Sequence, residues 1–346
     1  MNGVPGIPFP PDGPVVCIGE TMAALAPTPS GPLDTAEDLR LSVAGAESNV
    51  AMYLADLGRS VSWLSALGDD AFGRRVRAAV AASGVDVMGV RTDPQRPTGL
   101  LVKDPGRDRT RVHYYRSGSA ASALGPDTLD DERVRSAALV HLTGVTPALS
   151  PSCRDLVERA LATPPTPERP YAVSFDVNHR PALWPEGTAA TVLRDLADRA
   201  DIAFVGLDEA QDLWGAELEP ADVRRLLKGP RILVVKDGGL AAHAFTESDE
   251  DVCTVPALPA EVVEPVGAGD AFAAGFLTGL LRGEDLRRAL RLGHITASSA
   301  LRVTGDHGPL PDAVMIATLL DLGDEEWSSG AVAGCGSRGR SPAGGS

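Results

Sequence analysis

The sequence has few cysteines, and their spacing suits neither a disulfide framework nor a zinc site. Cys17, Cys153, Cys253 and Cys335 lie far apart, and none of them forms a Cys-x-x-Cys pair. Small secreted domains depend on closely spaced cysteines, and structural zinc ions take cysteine ligands in short pairs. We therefore expect neither, and we interpret the four cysteines as small apolar residues.

Positive charge and long apolar runs are scarce as well. The formal net charge is −15, and Lys and Arg do not cluster anywhere along the chain. Because nucleic-acid binding requires clustered cations, we expect no nucleic-acid partner. No apolar run is long enough to cross a bilayer, and the start of the chain lacks the basic and apolar regions of a secretory signal. We therefore predict a cytoplasmic protein with no membrane association.

Short apolar runs alternate with helical patterns along most of the chain. Six of these runs have strand character, at residues 15–18, 61–66, 139–142, 172–175, 202–205 and 232–235. Short continuous apolar runs between helices indicate a mostly parallel sheet that is covered on both faces. The pattern predicts an α/β sandwich in one domain over residues 14–323. Residues 1–13 and 324–346 have the composition of disordered ends.

Two β-rich stretches interrupt this alternation. Residues 99–103 and 110–115 flank a short polar segment that leaves no room for a helix, which predicts an antiparallel hairpin. Segments near residues 19–45 and 97–118 would then form a small β lid, although a surface hairpin of the main sheet is the alternative. Exposed lid edges often pair between subunits, so the lid is also a candidate homodimer interface.

The strongest local signal is a Gly-Ala-Gly turn that opens directly into an apolar helix. Gly267, Ala268 and Gly269 would supply unpaired backbone N–H groups at the helix start, and such groups bind anions such as phosphate. Asp270 follows at once. The spacing alone leaves two interpretations of Asp270 open, a helix cap and a catalytic base.

This motif resembles the second signature of the ribokinase-like (PfkB) carbohydrate kinases. The first signature has counterparts at residues 44–51 and 67–73, and the similarity runs from about residue 15 to residue 320. The resemblance implies a ribokinase-like three-layer α/β/α sandwich with a β lid, and a kinase that transfers the γ-phosphoryl group of ATP to a sugar hydroxyl. Asp270 would be the general base, and the amides of Gly267, Ala268 and Gly269 would stabilise charge on the moving phosphoryl group.

The resemblance implies ATP and Mg²⁺ as cofactors. Gly267 and Gly269 would contact the phosphates, Lys236 and Gly238 match the strand and turn that approach the nucleotide, and Gly305 and His307 match the loop that borders adenine. A surface turn is the alternative at Lys236 and Gly238.

Glu209 is the candidate metal residue, acting on Mg²⁺ through water. The sequence departs from the family pattern here, since Gly206 stands where many relatives have Asn. Glu209 equally suits the first turn of a helix that runs to Trp214.

Two segments resemble those of the 2-keto-3-deoxygluconate kinases within this family, in which Tyr and Arg residues contact the substrate and its carboxylate. One segment contains Tyr115 and Arg116, and the other contains Asn178 and Arg180. The planar fork of Arg suits a carboxylate. Asn49 joins the site by the same similarity, or caps the helix that follows it. The remaining sugar-site candidates are Gly19, Glu20 and Gly45.

We therefore predict a kinase that phosphorylates a terminal hydroxyl of 2-keto-3-deoxygluconate. A kinase of a neutral sugar such as fructose or ribose is the alternative. A catalytically silent sugar- or nucleotide-binding regulator is a third hypothesis, because Gly206 and Glu264-Pro265 depart from the family pattern. A dinucleotide-dependent dehydrogenase is disfavoured, since no Gly-x-Gly-x-x-Gly motif follows the first strand.

Overall fold

The computed structural model describes residues 13–106, 110–162, 170–247 and 252–329. The predicted disorder of residues 1–13 therefore lies, apart from Gly13, outside the described residues, as does most of the predicted C-terminal tail. Within the described ranges, no helix is both long enough and apolar enough to cross a membrane.

The strands and helices alternate along the chain. The strands are β1 (Val15–Ile18), β2 (Met22–Pro27), β3 (Leu39–Ala44), β4 (Val61–Leu64), β5 (Ala66–Gly68), β6 (Arg91–Asp93), β7 (Leu100–Pro105), β8 (Thr110–Tyr115), β9 (Leu139–Thr143), β10 (Ala172–Asp176), β11 (Ile202–Gly206), β12 (Ile232–Asp237), β13 (Ala241–Phe245) and β14 (Val252–Pro256). The helices are α1 (Ala46–Asp56), α2 (Ala71–Ala82), α3 (Glu132–Arg135), α4 (Pro151–Ala160), α5 (Ala189–Asp198), α6 (Leu207–Trp214), α7 (Pro220–Leu226), α8 (Ala268–Leu281), α9 (Leu286–Leu301), α10 (Ala313–Leu320) and α11 (Asp324–Ser329).

An eight-stranded sheet forms the middle layer, in the order β14-β13-β12-β11-β10-β9-β1-β4. The pairs from β12 to β4 are parallel, and β13 and β14 join antiparallel at one edge. Each of the six predicted runs supplies one of the parallel strands. Side chains of β1 point alternately into two cores, with Val15 and Cys17 in one and Val16 and Ile18 in the other. Helices cover both faces, so the predicted α/β sandwich is confirmed.

A second sheet has four strands in the order β3-β2-β7-β8 and lies apart from the main sheet. The predicted hairpin is present, because β7 pairs antiparallel with β8 from Leu100 opposite Tyr115 to Pro105 opposite Thr110. Strand β2 pairs parallel with β7, which joins the two predicted lid segments in one sheet. We call this sheet the lid. Strand β8 forms one edge of the lid and is exposed at all six residues; the homodimer through it stays a prediction.

The ordered domain extends further than the predicted boundary at residue 323. Helix α11 begins at Asp324, inside the segment that we predicted to be disordered. Trp327 is 1% exposed, its Nε1–H donates to the Pro256 carbonyl at 2.8 Å, and Arg291 stacks on its ring at 4.8 Å. The prediction was wrong for residues 324–329 because one large aromatic side chain anchors a short, acidic helix that composition alone does not favour.

Candidate active site

The Gly-Ala-Gly turn lies where helix α8 begins. Gly267 is the N-cap of α8, with φ of +85°, a left-handed conformation that favours glycine. A Cβ atom at this position would lie 2.6 Å from the carbonyl oxygen of Asp306. The turn therefore packs directly against the loop at residues 304–308. The first N–H groups of a helix lack intrahelical partners, so this start of α8 has the backbone geometry that an anion site requires.

Asp270 is the third residue of α8, and its carboxylate accepts hydrogen bonds from two other elements. Nδ2 of Asn49, in α1, donates to Oδ2 at 2.8 Å, and Nδ2 of Asn178, after β10, donates to Oδ1 at 3.3 Å. Three predicted site residues thus meet at one carboxylate. The helix-cap interpretation of Asp270 is not supported, since Gly267 is the N-cap. The capping interpretation of Asn49 is wrong, because Gly45 caps α1 and Asn49 lies one turn inside.

Burial raises the pKa of Asp270 to about 7. The side chain is 8% exposed, and the negative charges of Asp176 and Asp306 raise its pKa further, whereas the Asn49 hydrogen bond and the Arg180 charge oppose the rise. A carboxyl group with this pKa exchanges a proton readily at neutral pH, which is the property that a general base needs.

Asn178 has a positive φ of +37°, a conformation that non-glycine residues adopt infrequently. Its backbone N–H donates to Oδ1 of Asp176 at 3.2 Å, while its side chain reaches Asp270. Strained backbone of this kind persists where surrounding contacts enforce it, often at functional sites. Here the strain aims the Asn178 amide at Asp270.

Lys236, at the end of β12, forms a buried ion pair beside the glycine turn. Its Nζ lies 2.7 Å from Oδ2 of Asp176, and a Cβ atom built on Gly269 would lie 3.3 Å from the same Nζ. Burial alone would lower the pKa of Lys236, but the charges of Asp176 and Glu209 raise it, so the ammonium stays charged. A fixed cation therefore borders the candidate anion site.

Both carboxylate oxygens of Glu209 accept backbone hydrogen bonds. Oε2 accepts from the N–H of Gly206 at 3.0 Å, and Oε1 accepts from the N–H of His179 at 3.0 Å. Glu209 thus caps α6, as the helix interpretation predicted, and also holds the loop that carries Asn178 and Arg180. Burial raises its pKa.

A metal site made entirely of protein ligands does not occur in the part of the chain that is described, where no group of three or more His, Cys, Asp or Glu residues could hold an ion. Mg²⁺ usually binds through phosphate oxygens and water, with one or two carboxylates. The single carboxylate of Glu209 fits that pattern.

Two predicted substrate residues bind each other. Nε of Arg116 donates to Oε2 of Glu20 at 2.6 Å, Nη2 contacts the same oxygen, and the hydroxyl of Ser119 donates to Oε1. Both members of the ion pair are buried. Tyr115, by contrast, is 65% exposed on β8. The charge of Arg116 is therefore already balanced inside the protein.

Gly19 and Gly45 lie where α1 approaches β1. A Cβ atom on Gly19 would lie 2.1 Å from the carboxyl carbon of Glu47, so a larger residue there would have to displace the Glu47 side chain. Glu47 is fully buried, and accepts hydrogen bonds from the hydroxyls of Thr143 and Thr146 at 2.8 and 2.7 Å. These contacts fix the first turn of α1, which presents Asn49 to Asp270.

The loop at residues 304–308 is tied to α1. A ring nitrogen of His307 lies 2.8 Å from Oδ2 of Asp56, and the N–H of Gly308 donates to the Tyr53 hydroxyl at 2.8 Å. Gly305 borders a cleft of ≈ 460 Å³ between β3 and α2, and Gly238 follows β12 with φ of +49°. The nucleotide roles of Gly238, Gly305 and His307 stay predictions.

Sequence reasoning missed three charged residues of the site. Asp176 and Asp306 lie close to predicted site residues in the sequence, and both raise the pKa of Asp270. The position of Asp176 directly after a buried strand was a usable signal. Lys103, in β7, forms an ion pair with Glu264 at 2.6 Å and gave no signal in the sequence.

Comparison with known proteins agrees with this architecture. Residues 13–313 match the pfkB family carbohydrate kinase. The chain is 36% identical to the 2-dehydro-3-deoxygluconokinase of Thermoproteus tenax, covering 86% of this chain and 91% of that protein. It is 34% identical to the Bacillus subtilis (strain 168) protein of the same name, covering 88% and 94%. The crystal structure of the PfkB protein from Polaromonas sp. JS666 matches with a TM-score of 0.78 and 35% identity, covering 90% of this chain and 100% of that one.

The family prediction and the ribokinase-like fold class are thus confirmed, and the chain belongs to the pfkB family of carbohydrate kinases.

Proposed function

We propose that this protein is an ATP-dependent kinase that phosphorylates the terminal hydroxyl of 2-keto-3-deoxygluconate, forming 2-keto-3-deoxy-6-phosphogluconate. The observation that carries the proposal is the buried carboxylate of Asp270, held by Asn49 and Asn178 at the start of α8. The names of the relatives from Thermoproteus tenax and Bacillus subtilis support the sugar-acid substrate.

Asp270 accepts the proton of the attacking hydroxyl. The substrate oxygen then forms its bond to the γ-phosphorus, the bond from that phosphorus to the β–γ bridging oxygen breaks, and ADP leaves with the bond electrons. The pKa of about 7 supports this role, because the carboxyl group is partly ionised at neutral pH, mostly ionised above it, and still basic enough to take a proton. The two amide donors orient the carboxylate.

The glycine turn and Lys236 stabilise the charge on the phosphoryl group as it moves. The backbone N–H groups of Gly267 and Gly269 are the donors that we expect to face the phosphates, while that of Ala268 also contacts the Pro265 carbonyl at 3.4 Å. The ammonium of Lys236 lies beside Gly269. Mg²⁺, when bound with ATP, neutralises phosphate charge, and Glu209 is the carboxylate that would act on it through water.

Arg180 is the residue that we expect to bind the substrate carboxylate. Its side chain is 48% exposed, Nη1 lies 3.7 Å from Oε1 of Glu209, and its charge lowers the pKa of Asp270. These observations support a role for Arg180 in substrate binding. Arg116 is engaged by Glu20 on two of its nitrogens, so it has fewer donors for a ligand. This pairing is the observation that favours the second candidate function, a kinase of a neutral sugar.

A substrate panel tests the proposal. ADP release is measured with 2-keto-3-deoxygluconate, fructose and ribose, using the wild type, Arg180→Gln and the control Arg135→Gln, which makes the same charge change on the exposed surface of α3. We expect turnover of the acid sugar. Loss of a charge-assisted, bidentate contact is worth roughly 1.5–3 kcal/mol, so Arg180→Gln should raise KM for the acid about 10- to 100-fold.

Two outcomes contradict the proposal in different ways. Equal turnover of fructose and the acid, with an unchanged KM in Arg180→Gln, favours the neutral-sugar kinase. Binding of sugar or nucleotide without any ADP release favours the catalytically silent regulator.

A further inference from the structure

Lys103 lies in the lid but its ammonium contacts the loops around the glycine turn. It belongs to β7, and its Nζ lies 2.6 Å from Oε1 of Glu264 and 3.8 Å from Oδ1 of Asp306. The Lys103 side chain is only 13% exposed. Glu264 precedes the glycine turn by three residues, and the backbone of Asp306 packs against Gly267. One lid cation thus connects the two segments that flank the turn.

A continuous series of polar contacts runs from Lys103 to the candidate base. Nζ of Lys103 lies 3.8 Å from Oδ1 of Asp306, Asn49 lowers the pKa of Asp306, and Nδ2 of Asn49 donates to Oδ2 of Asp270 at 2.8 Å. Asn49 therefore acts on two buried carboxylates, and Lys103 pairs with Asp306, the one that is further from the reaction.

A second lid strand is anchored to the same loop. Nη2 of Arg40, in β3, donates to Oγ1 of Thr304 at 2.7 Å and to the Thr304 carbonyl at 3.3 Å. Polar contacts from two strands therefore hold the lid against residues 304–306. A movement of the lid away from this loop would withdraw the Lys103 charge.

The Lys103 ammonium offsets negative charge that is concentrated around the glycine turn. Asp270, Asp176, Asp306 and Glu264 lie around a turn that must accept the anionic phosphates of a nucleotide. Buried like charges repel, and an unpaired buried carboxylate is costly. Glu264, one of the residues that depart from the family pattern, is linked to the lid by its ion pair with Lys103.

We propose that Lys103 is a positioning residue that couples closure of the lid to the state of the active site. Its ammonium holds Glu264 and Asp306 in place beside the glycine turn and, through Asn49, sets the electrostatic surroundings of Asp270. This inference rests on the proposed kinase function, which supplies the reaction that it modulates.

The test compares Lys103→Met, Lys103→Arg and Lys228→Met, the last of which removes a lysine charge from an exposed position far along the chain. Allosteric coupling between two ligand sites typically changes an affinity by a factor of about 5 to 150. We expect an effect of that order here, a fall of about tenfold or more in the kcat/KM of Lys103→Met. Lys103→Arg should restore most of the activity, and Lys228→Met should match the wild type.

The pH profile separates positioning from simple structural support. Asp270 faces Asp176 from β10, Arg180 from the loop after β10, Lys236 from β12 and Asp306 from the loop after α9. The Lys103→Met substitution leaves these four charged groups in place and removes only the Lys103 ammonium, which pairs with Asp306 and Glu264. The pKa of Asp270 should therefore rise, and the acid limb of kcat/KM should move to higher pH.

Hydrogen exchange provides a readout that does not need activity. In Lys103→Met, the amides of β7 and of residues 304–308 should lose protection together, whereas Lys228→Met should leave them unchanged. An unchanged pH profile and unchanged protection in Lys103→Met would overturn the inference. A different outcome would count against the proposed function alone. In that case the wild type is inactive towards every sugar, while Lys103→Met still loses amide protection in β7 and residues 304–308.

Discussion

Replacing the candidate base with its neutral isostere should make the protein inactive and more stable at the same time. Asp270→Asn removes a carboxylate whose pKa is raised to about 7 by burial and by Asp176 and Asp306. The folded state therefore holds this proton more tightly than the unfolded state, in which the pKa of an Asp is about 3.9. The folded protein loses stability as pH rises through the interval between these two values, and the whole penalty is present above pH 7.

The size of the stability change follows from the difference between the pKa values of Asp270 in the folded and unfolded states. About 3 pKa units at about 1.36 kcal/mol each give about 4 kcal/mol as the cost of ionised Asp270 above neutral pH. Asp270→Asn avoids that cost. The new amide can accept from Asn49, and the amide of Asn178 can rotate to accept from it, because Oδ1 of Asn178 has no hydrogen-bond partner. We expect a net gain of about 2–4 kcal/mol at pH 8.5 and close to none at pH 4.

The assay is denaturant unfolding of the wild type, Asp270→Asn and Asp155→Asn at pH 4 and pH 8.5, with ADP release measured on the same preparations. Asp155 is an exposed residue of α4 and controls for the general loss of one negative charge. Loss of a general base typically lowers kcat about 10²- to 10⁴-fold. If Asp270→Asn is no more stable than the wild type at pH 8.5, the carboxylate does not carry a buried charge. If it retains native kcat, Asp270 is not the base.

Two further predictions concern parts of the fold that support the site. Gly267→Ala should destabilise the protein by about 2 kcal/mol or more and lower kcat, because the φ of +85° disfavours alanine and the new Cβ would meet the Asp306 carbonyl at 2.6 Å. Gly283→Ala, at φ of +72° with no atom near the new Cβ, should cost about 1 kcal/mol and leave kcat unchanged; equal effects on kcat would contradict the packing argument. Trp327→Ala should lower the free energy of unfolding by about 3–5 kcal/mol, whereas the exposed Glu325→Ala should have little effect. A stability change as small as that of Glu325→Ala would show that α11 does not anchor the C-terminal end of the domain.

Local sequence patterns were sufficient to predict most strands of the main sheet and the position at which α8 begins. The six apolar runs became parallel strands because each is buried on both faces, and that environment leaves a continuous apolar signal in the sequence. The glycine turn was recognisable because a left-handed residue followed by a buried helix needs specific residues at adjacent positions. Helix α11 was missed because its stability comes from Trp327 packing against distant residues.

The sequence could not predict which charged side chains pair with each other, because the partners are far apart in the chain. Asn49 and Asp270 are 221 residues apart, Glu20 and Arg116 are 96 apart, and Lys103 and Glu264 are 161 apart. Periodicity and residue preference describe only a few neighbouring residues, so they cannot report which distant segments meet. Sequence patterns alone are enough to predict the sandwich, the glycine turn at the start of α8 and the carboxylate that follows it. The partners of the charged groups depend instead on how the lid, α1 and the loop at residues 304–308 pack against α8. This packing pairs Arg116 with Glu20, Asn49 with Asp270 and Lys103 with Glu264. Each of these contacts requires elements that are distant in the sequence to come within hydrogen-bonding distance.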